Sequence, residues 1–115
     1  MIVLKGNPLS TNSLYRYACR GRHPCMYMTK EGKALKEQYQ WEMKAQGKKM
    51  KGKLHVSIYL YFGDKRKRDI DNYNKILLDS GNGILWEDDS QIAFMEISKD
   101  YDKNSPRIEL DIGNF

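Results

Sequence analysis

The sequence predicts an α+β fold, with helices packed on a mixed or antiparallel β-sheet. Three observations carry that expectation. Leu54, Val56, Ile58, Leu60 and Phe62 alternate with His55, Ser57, Tyr59 and Tyr61, which is the period of a half-buried strand. Leu35, Tyr39 and Met43 recur at helical spacing, as do Tyr73, Ile76 and Leu77. Two further alternating runs, Ile92–Ile97 and Ile108–Ile112, close the chain.

Taken in order, Ile2-Val3-Leu4 reads as a short strand, and Pro8 and Asn12 mark a loop after it. Arg16, Arg20, Gly21, Arg22 and Pro24 share a segment that reads as irregular, with a short extended piece at Tyr27-Met28. Thr29 suits a helix N-cap, because its hydroxyl can accept from an orphan backbone N–H. The helix behind it runs to about Lys44, with Ala34 and Trp41 adding to the apolar spacing, and Gly47 stops it. After the strand at 54–62, Gly63-Asp64 breaks the pattern. A second helix is expected from Asp69–Asn72 to Ser80, ended by Gly81-Asn82-Gly83. The last two strands, joined by a turn at Asp102–Pro106, are expected to pair as an antiparallel hairpin.

The chain has 115 residues, which suits one small domain spanning 1–115 with two main helices. A core of that size is modest, so association between copies is a ready source of extra stability. The formal net charge of +5 favours acidic partners and weighs against an acidic-metabolite enzyme. No apolar run approaches the roughly 20 residues of a membrane helix, and Met1–Lys5 is too quickly polar for a signal peptide. Two cysteines, Cys19 and Cys25, make a poor zinc site and read as reduced thiols of a cytoplasmic protein, with His23 a loop histidine.

The chemistry concentrates in Asp69-Ile70-Asp71-Asn72, directly behind Lys65-Arg66-Lys67-Arg68. Carboxylates two residues apart can share a hard cation such as Mg²⁺, and the cations suit a phosphate backbone. A second acidic pair, Asp88-Asp89, follows Trp86-Glu87; Trp86 is expected in the core or an interface. A single Asp at a helix start is explained by capping and by the helix dipole. Capping requires neither two aspartates, nor four preceding cations, nor a later acidic pair. Lys75 lies four residues after Asp71, the spacing of one helix face, so it is either an ordinary ion pair or a cation placed to meet charge growing on a phosphate. Asp79 is a partner for Lys75 or a surface charge. The lysines at 44, 48, 49, 51 and 53 read first as a solvated helix end.

Lys67-Arg68-Asp69-Ile70-Asp71-Asn72-Tyr73-Asn74-Lys75, Leu78-Asp79 and Gly83–Ile92 resemble the core signature of RusA-type Holliday junction resolvases. Pro8–Arg16 is similar to that family's N-terminal loop, although Leu9-Ser10 stands where a second proline is common. The resemblance covers nearly the whole chain. It implies a RusA-like fold and a homodimeric, Mg²⁺-dependent endonuclease, with Mn²⁺ as a substitute, that resolves four-way DNA junctions by paired symmetric nicks. By motif position, Asp69, Asp71 and Asp89 match the family's metal-binding catalytic aspartates and Lys75 its functional lysine. Asn12, Arg16 and Asn72, with Lys65, Arg66, Lys67 and Arg68, are the expected DNA contacts.

The rival reading is a basic nucleic-acid-binding protein without cleavage activity, with Tyr15, Tyr27, Tyr59 and Tyr61 interleaved among its cations. Tyrosines at strand spacing more often pack than stack on bases. A purely structural subunit leaves the aspartate set unexplained.

Overall fold

The computed structural model describes every residue except Arg22, together with all side chains but those of Cys19, Arg20 and His23. The expectations that rest on Arg22 and on the side chains of Cys19, Arg20 and His23, the reduced state of the Cys19 thiol among them, lie outside the described residues. The elements run β1 (Ile2–Lys5), α1 (Thr11–Leu14), β2 (Tyr15–Arg20), β3 (His23–Met28), α2 (Lys30–Gln46), β4 (Leu54–Phe62), α3 (Lys75–Gly81), β5 (Ile92–Tyr101) and β6 (Arg107–Asn114). One-turn 3₁₀ segments sit at Ile70–Asn72 and Asp89–Gln91. The mixed α+β class is the one the sequence predicts.

β4 is the spine of a four-stranded sheet ordered β1-β6-β4-β5. Its inward residues, Leu54, Val56, Ile58, Leu60 and Phe62, are all buried. They meet Tyr39 and Met43 of α2, Ile76 and Leu77 of α3, and Ile108 and Leu110 of β6 in one core, plugged by Leu85 and Trp86. The other face of the sheet carries Arg107, Glu109 and Asp111 beside His55, Tyr59 and Tyr61. The alternation in the sequence therefore marks one wet face and one dry face.

The final hairpin is not formed. β5 pairs with β4 in parallel, whereas β6 pairs with β4 in antiparallel sense from its other side. The segment 63–91, which contains α3, is the long crossover that a parallel pair requires. The short connection 102–106 instead crosses the end of β4. There Asp102 N–H donates to the Phe62 carbonyl at 2.8 Å, and Arg107 binds the Asp102 carboxylate at 2.7 Å. The most apolar strand thus gains a partner on both edges, an outcome that periodicity alone does not encode.

Two other expectations are corrected. The stretch expected to be irregular forms the β2–β3 hairpin, with Tyr15 opposite Met28 and Tyr17 opposite Met26. The second helix begins at Lys75, not at Asp69–Asn72, because Tyr73 adopts φ −122° and ψ −5° and turns the chain between the 3₁₀ segment and α3. The Tyr73 ring sits edge-on to Phe62 at 5.2 Å, which holds that turn against the sheet.

α2 is capped as expected, with Gly32 N–H donating to Thr29 Oγ1 at 3.0 Å. Gly32 is required for packing, since a Cβ there would run into the Leu14 carbonyl oxygen. Trp41 does not join the apolar face of α2; it is 68 % exposed, with Lys44 Nζ 6.0 Å from its ring. Among the described residues, no helix is long and apolar enough to cross a membrane.

Candidate active site

Asp69 stands at the N-cap position of the 3₁₀ segment, yet its side chain makes no capping hydrogen bond. Asp71 lies within that segment, and both residues are exposed. The capping account fits Asp88 instead. Its carboxylate accepts from Ser90 N–H at 3.1 Å, while Gln91 Oε1 accepts from the backbone N–H of Asp88 in return. These bonds from Ser90 hold the Asp88 carboxyl below the usual carboxylate range. Asp89, next along the chain, is half-buried. Among the described residues, the side chains of Asp69, Asp71 and Asp89 have no hydrogen-bond or ion-pair partner. Glu87 is spent on Lys49 at 2.9 Å.

Lys75 is the first residue of α3 and shares no helix with Asp71. Its ammonium lies 3.7 Å from Asp79 Oδ2, one turn on, and 5.1 Å from the centre of the Tyr15 ring. The Tyr15 hydroxyl donates to the same Asp79 oxygen at 2.5 Å. Burial first, and then that bond to a carboxylate, push the Tyr15 phenol well above its ordinary pKa. Tyr15 therefore stays a neutral donor that fixes Asp79, and Asp79 in turn steadies Lys75. Sequence reasoning had no means of finding Tyr15 in this role, because the bond joins residues 64 positions apart.

A second stitch joins the N-terminal loop to the aspartates. Thr11 Oγ1 donates to the Asn72 carbonyl at 2.9 Å. It brings α1, which carries Asn12, to the segment that carries Asp71. Asn12 is exposed, and its carbonyl accepts from Arg16 Nη1 at 3.1 Å. The structure thus gathers Asn12, Arg16, Asn72 and Lys75 around one junction of α1, the 3₁₀ segment and α3.

The four cations before Asp69 are not equivalent. Arg68 turns inward, with 18 % of its side chain exposed; it pairs with Asp64 at 2.7 Å and lies 4.2 Å over Phe62. Its carbonyl accepts from the Lys99 ammonium, which ties the loop to β5. Lys65 lies over Tyr101 at 5.1 Å, and Arg66 pairs loosely with Asp64 at 3.9 Å. Lys67 is exposed and unpaired among the described residues. Lys65, Arg66 and Lys67 are the members of the run that face water.

The donor set suits a hard cation: carboxylate oxygens with no competing partner, close to solvent. Mg²⁺ keeps several waters and needs only one or two carboxylates beside substrate phosphate. Asp69 and Asp71, exposed and without a side-chain partner, are the residues that would hold it. Among the described residues, no three His, Cys, Asp or Glu side chains stand close enough together to hold one ion. Asp69, Asp71 and Asp89 therefore do not form one three-carboxylate cluster.

A profile of the endodeoxyribonuclease RusA family matches residues 6–113. This chain belongs to the RusA endodeoxyribonuclease family. Over 44 residues it is also 41 % identical to the "Uncharacterized protein YqaN" of Bacillus subtilis strain 168. That match covers 38 % of this chain and 30 % of the relative. The family match includes both 3₁₀ segments, α3 and the N-terminal loop, the parts that build the site described above.

Proposed function

We propose that this RusA-family protein is a Mg²⁺-dependent endodeoxyribonuclease that resolves four-way DNA junctions by paired symmetric nicks. It would act as a homodimer in cytoplasmic DNA recombination and repair. The observation that carries this reading is the unpartnered Asp69–Asp71 pair, uncapped and exposed, in a chain matched by the family over residues 6–113. When bound, Mg²⁺ or its substitute Mn²⁺ would polarise the scissile phosphate and lower the pKa of an attacking water.

The chain's own residues do the rest. Asp69 and Asp71 would offer oxygen donors, and Asp89 would join the same centre, a role that rests on the resemblance of its sequence motif. Lys75, steadied by Asp79 and Tyr15, presents an ammonium to the charge that grows on the cleaved phosphate. Lys65, Arg66 and Lys67 attract neighbouring phosphates, and Arg68 shapes the loop that carries them. Asn12, Arg16 and Asn72 contact the strand that enters the site.

One observation favours the rival reading of a binder without cleavage activity, namely that Asp69, Asp71 and Asp89 form no three-carboxylate cluster among the described residues. A labelled four-way junction incubated with purified protein, with and without Mg²⁺, separates the readings. The nuclease reading expects paired nicks only with the metal. It also expects Asp71→Asn to abolish cutting while junction binding is retained or tightened, because a negative charge near DNA is removed. Wild-type cutting by that variant sinks the metal-site assignment. Tight binding by the unaltered protein with no cutting leaves the rival.

A further inference from the structure

The β2–β3 hairpin has two unlike faces. Tyr15 and Met28 share one of them at its root, and Tyr17 and Met26 share it one step further out. Arg16 and Tyr27 sit opposite each other on the other face. The root is fixed, since Tyr15 is buried and Thr29 N–H donates to the Leu14 carbonyl at 2.9 Å. Beyond the root the apolar face is bare: Tyr17 is 75 % exposed and Met26 40 %.

A cleft of about 340 Å³ opens beneath that face, lined by Thr11, Asn12, Tyr15, Arg16, Tyr17 and Met26. Its volume lies at the small end of ligand clefts. Its chemistry is that of a base site: an aromatic face, a thioether, a guanidinium at the rim and an amide that can read a base edge. Among the described residues the Asn12 amide has no hydrogen-bond partner. The floor of the cleft is Tyr15, whose ring faces the Lys75 ammonium at 5.1 Å. A nucleotide seated here would have its neighbouring phosphate beside the residue assigned to transition-state charge.

We infer that Tyr17 and Met26 form a stacking platform for one unstacked nucleobase at a DNA branch point, with Asn12 reading its edge and Arg16 holding the adjacent phosphate. The inference rests on the nuclease reading and extends it to the choice of branched over linear DNA. In a continuous duplex every base is stacked and out of reach of Tyr17. At a branch point the stack is interrupted, so a base can transfer to an aromatic side chain at reduced cost. The cationic balance of the chain favours a nucleic-acid occupant over an apolar peptide.

The test measures binding in the absence of metal, so that cleavage does not enter. Tyr17→Ser is expected to weaken four-way-junction binding by roughly 5- to 100-fold, the value of one stacked base, and to leave linear-duplex binding within about twofold. Tyr17→Phe, which keeps the ring, should bind the junction like the unaltered protein. An abasic residue placed at each branch-point position in turn should weaken the unaltered protein at one of them. The same residue should add nothing to Tyr17→Ser, since ring and base form one contact. Unchanged junction binding by Tyr17→Ser overturns the platform, and so does equal loss on junction and duplex. Failure of the nuclease reading is scored separately, as lack of cutting by the unaltered protein in Mg²⁺.

Discussion

Asp69 and Asp88 are the same residue type at the same formal position, the N-cap of a 3₁₀ segment, and only Asp88 caps. That contrast separates a carboxylate used by the fold from one that makes no capping bond. Lys75 admits a similar separation. Its pairing with Asp79 is partly exposed, and such an i,i+4 contact is worth about 0.3–0.5 kcal/mol. Lys75→Ala should therefore cost below about 1 kcal/mol in urea denaturation. If the ammonium meets the developing charge, turnover on a junction should fall by about 10²-fold or more in the folded variant. Normal turnover would return Lys75 to the status of a surface ion pair.

At the scale of elements, α3 shows local propensity and packing in conflict. Alanine is favoured over glycine in a helix by about 1 kcal/mol, so Gly81→Ala would stabilise α3 considered alone. A Cβ at Gly81 would, however, enter the ring of Trp86, which is 1 % exposed and tightly enclosed. Overpacking of that kind costs about 1–3 kcal/mol, so packing wins and Gly81→Ala should lower the urea midpoint. A rise in the midpoint would show that the Trp86 plug has room to shift. The turn between β5 and β6 has an electrostatic signature. Arg107, and then the backbone N–H groups of Ser105 and Asn104, hold the Asp102 carboxyl below its ordinary pKa. A depressed folded-state value means that this contribution is present above the unfolded value near pH 4. It is lost as the pH falls through the folded one. Thermal midpoints recorded from about pH 5 downward should drop in the unaltered protein. Asp102→Asn should remove part of that drop, and an identical acid profile would mean that the crossing of β4 does not depend on this pair.

For the whole molecule, resolving a four-way junction needs two cuts placed symmetrically, which a two-fold dimer supplies with one site per subunit. A chain of 115 residues also has reason to bury further apolar surface between copies. Phe94 and Phe115 stack at 5.9 Å while both remain exposed, an apolar patch beside the edge strand β5. Light scattering at micromolar concentration should therefore report a homodimer. Junction should outcompete linear duplex of equal length, and affinity should fall steeply with salt through counterion release. A monomer with no preference between the two DNAs would leave a general nucleic-acid binder.

The strands at 54–62, 92–97 and 108–112, the capped helix behind Thr29 and the buried Trp86 were all legible in the sequence. Alternation, helical spacing and capping chemistry are local properties, written within a few residues of where they act. The aspartates and Lys75 were legible as a motif for the same reason, since their spacing is short. Tertiary structure alone decided that β6 lies across β4 from β5, because an alternating strand carries no label for its neighbour. It also decided that the arginine-bearing segment after Asn12 is a hairpin, since its Tyr and Met residues pair across a turn without a strong periodic signal. The clamp of Tyr15 on Asp79 and the stitch of Thr11 to Asn72 belong to the same class. Each is a single hydrogen bond between residues more than sixty positions apart, and such bonds exist only once the core has brought α1, β2 and α3 together.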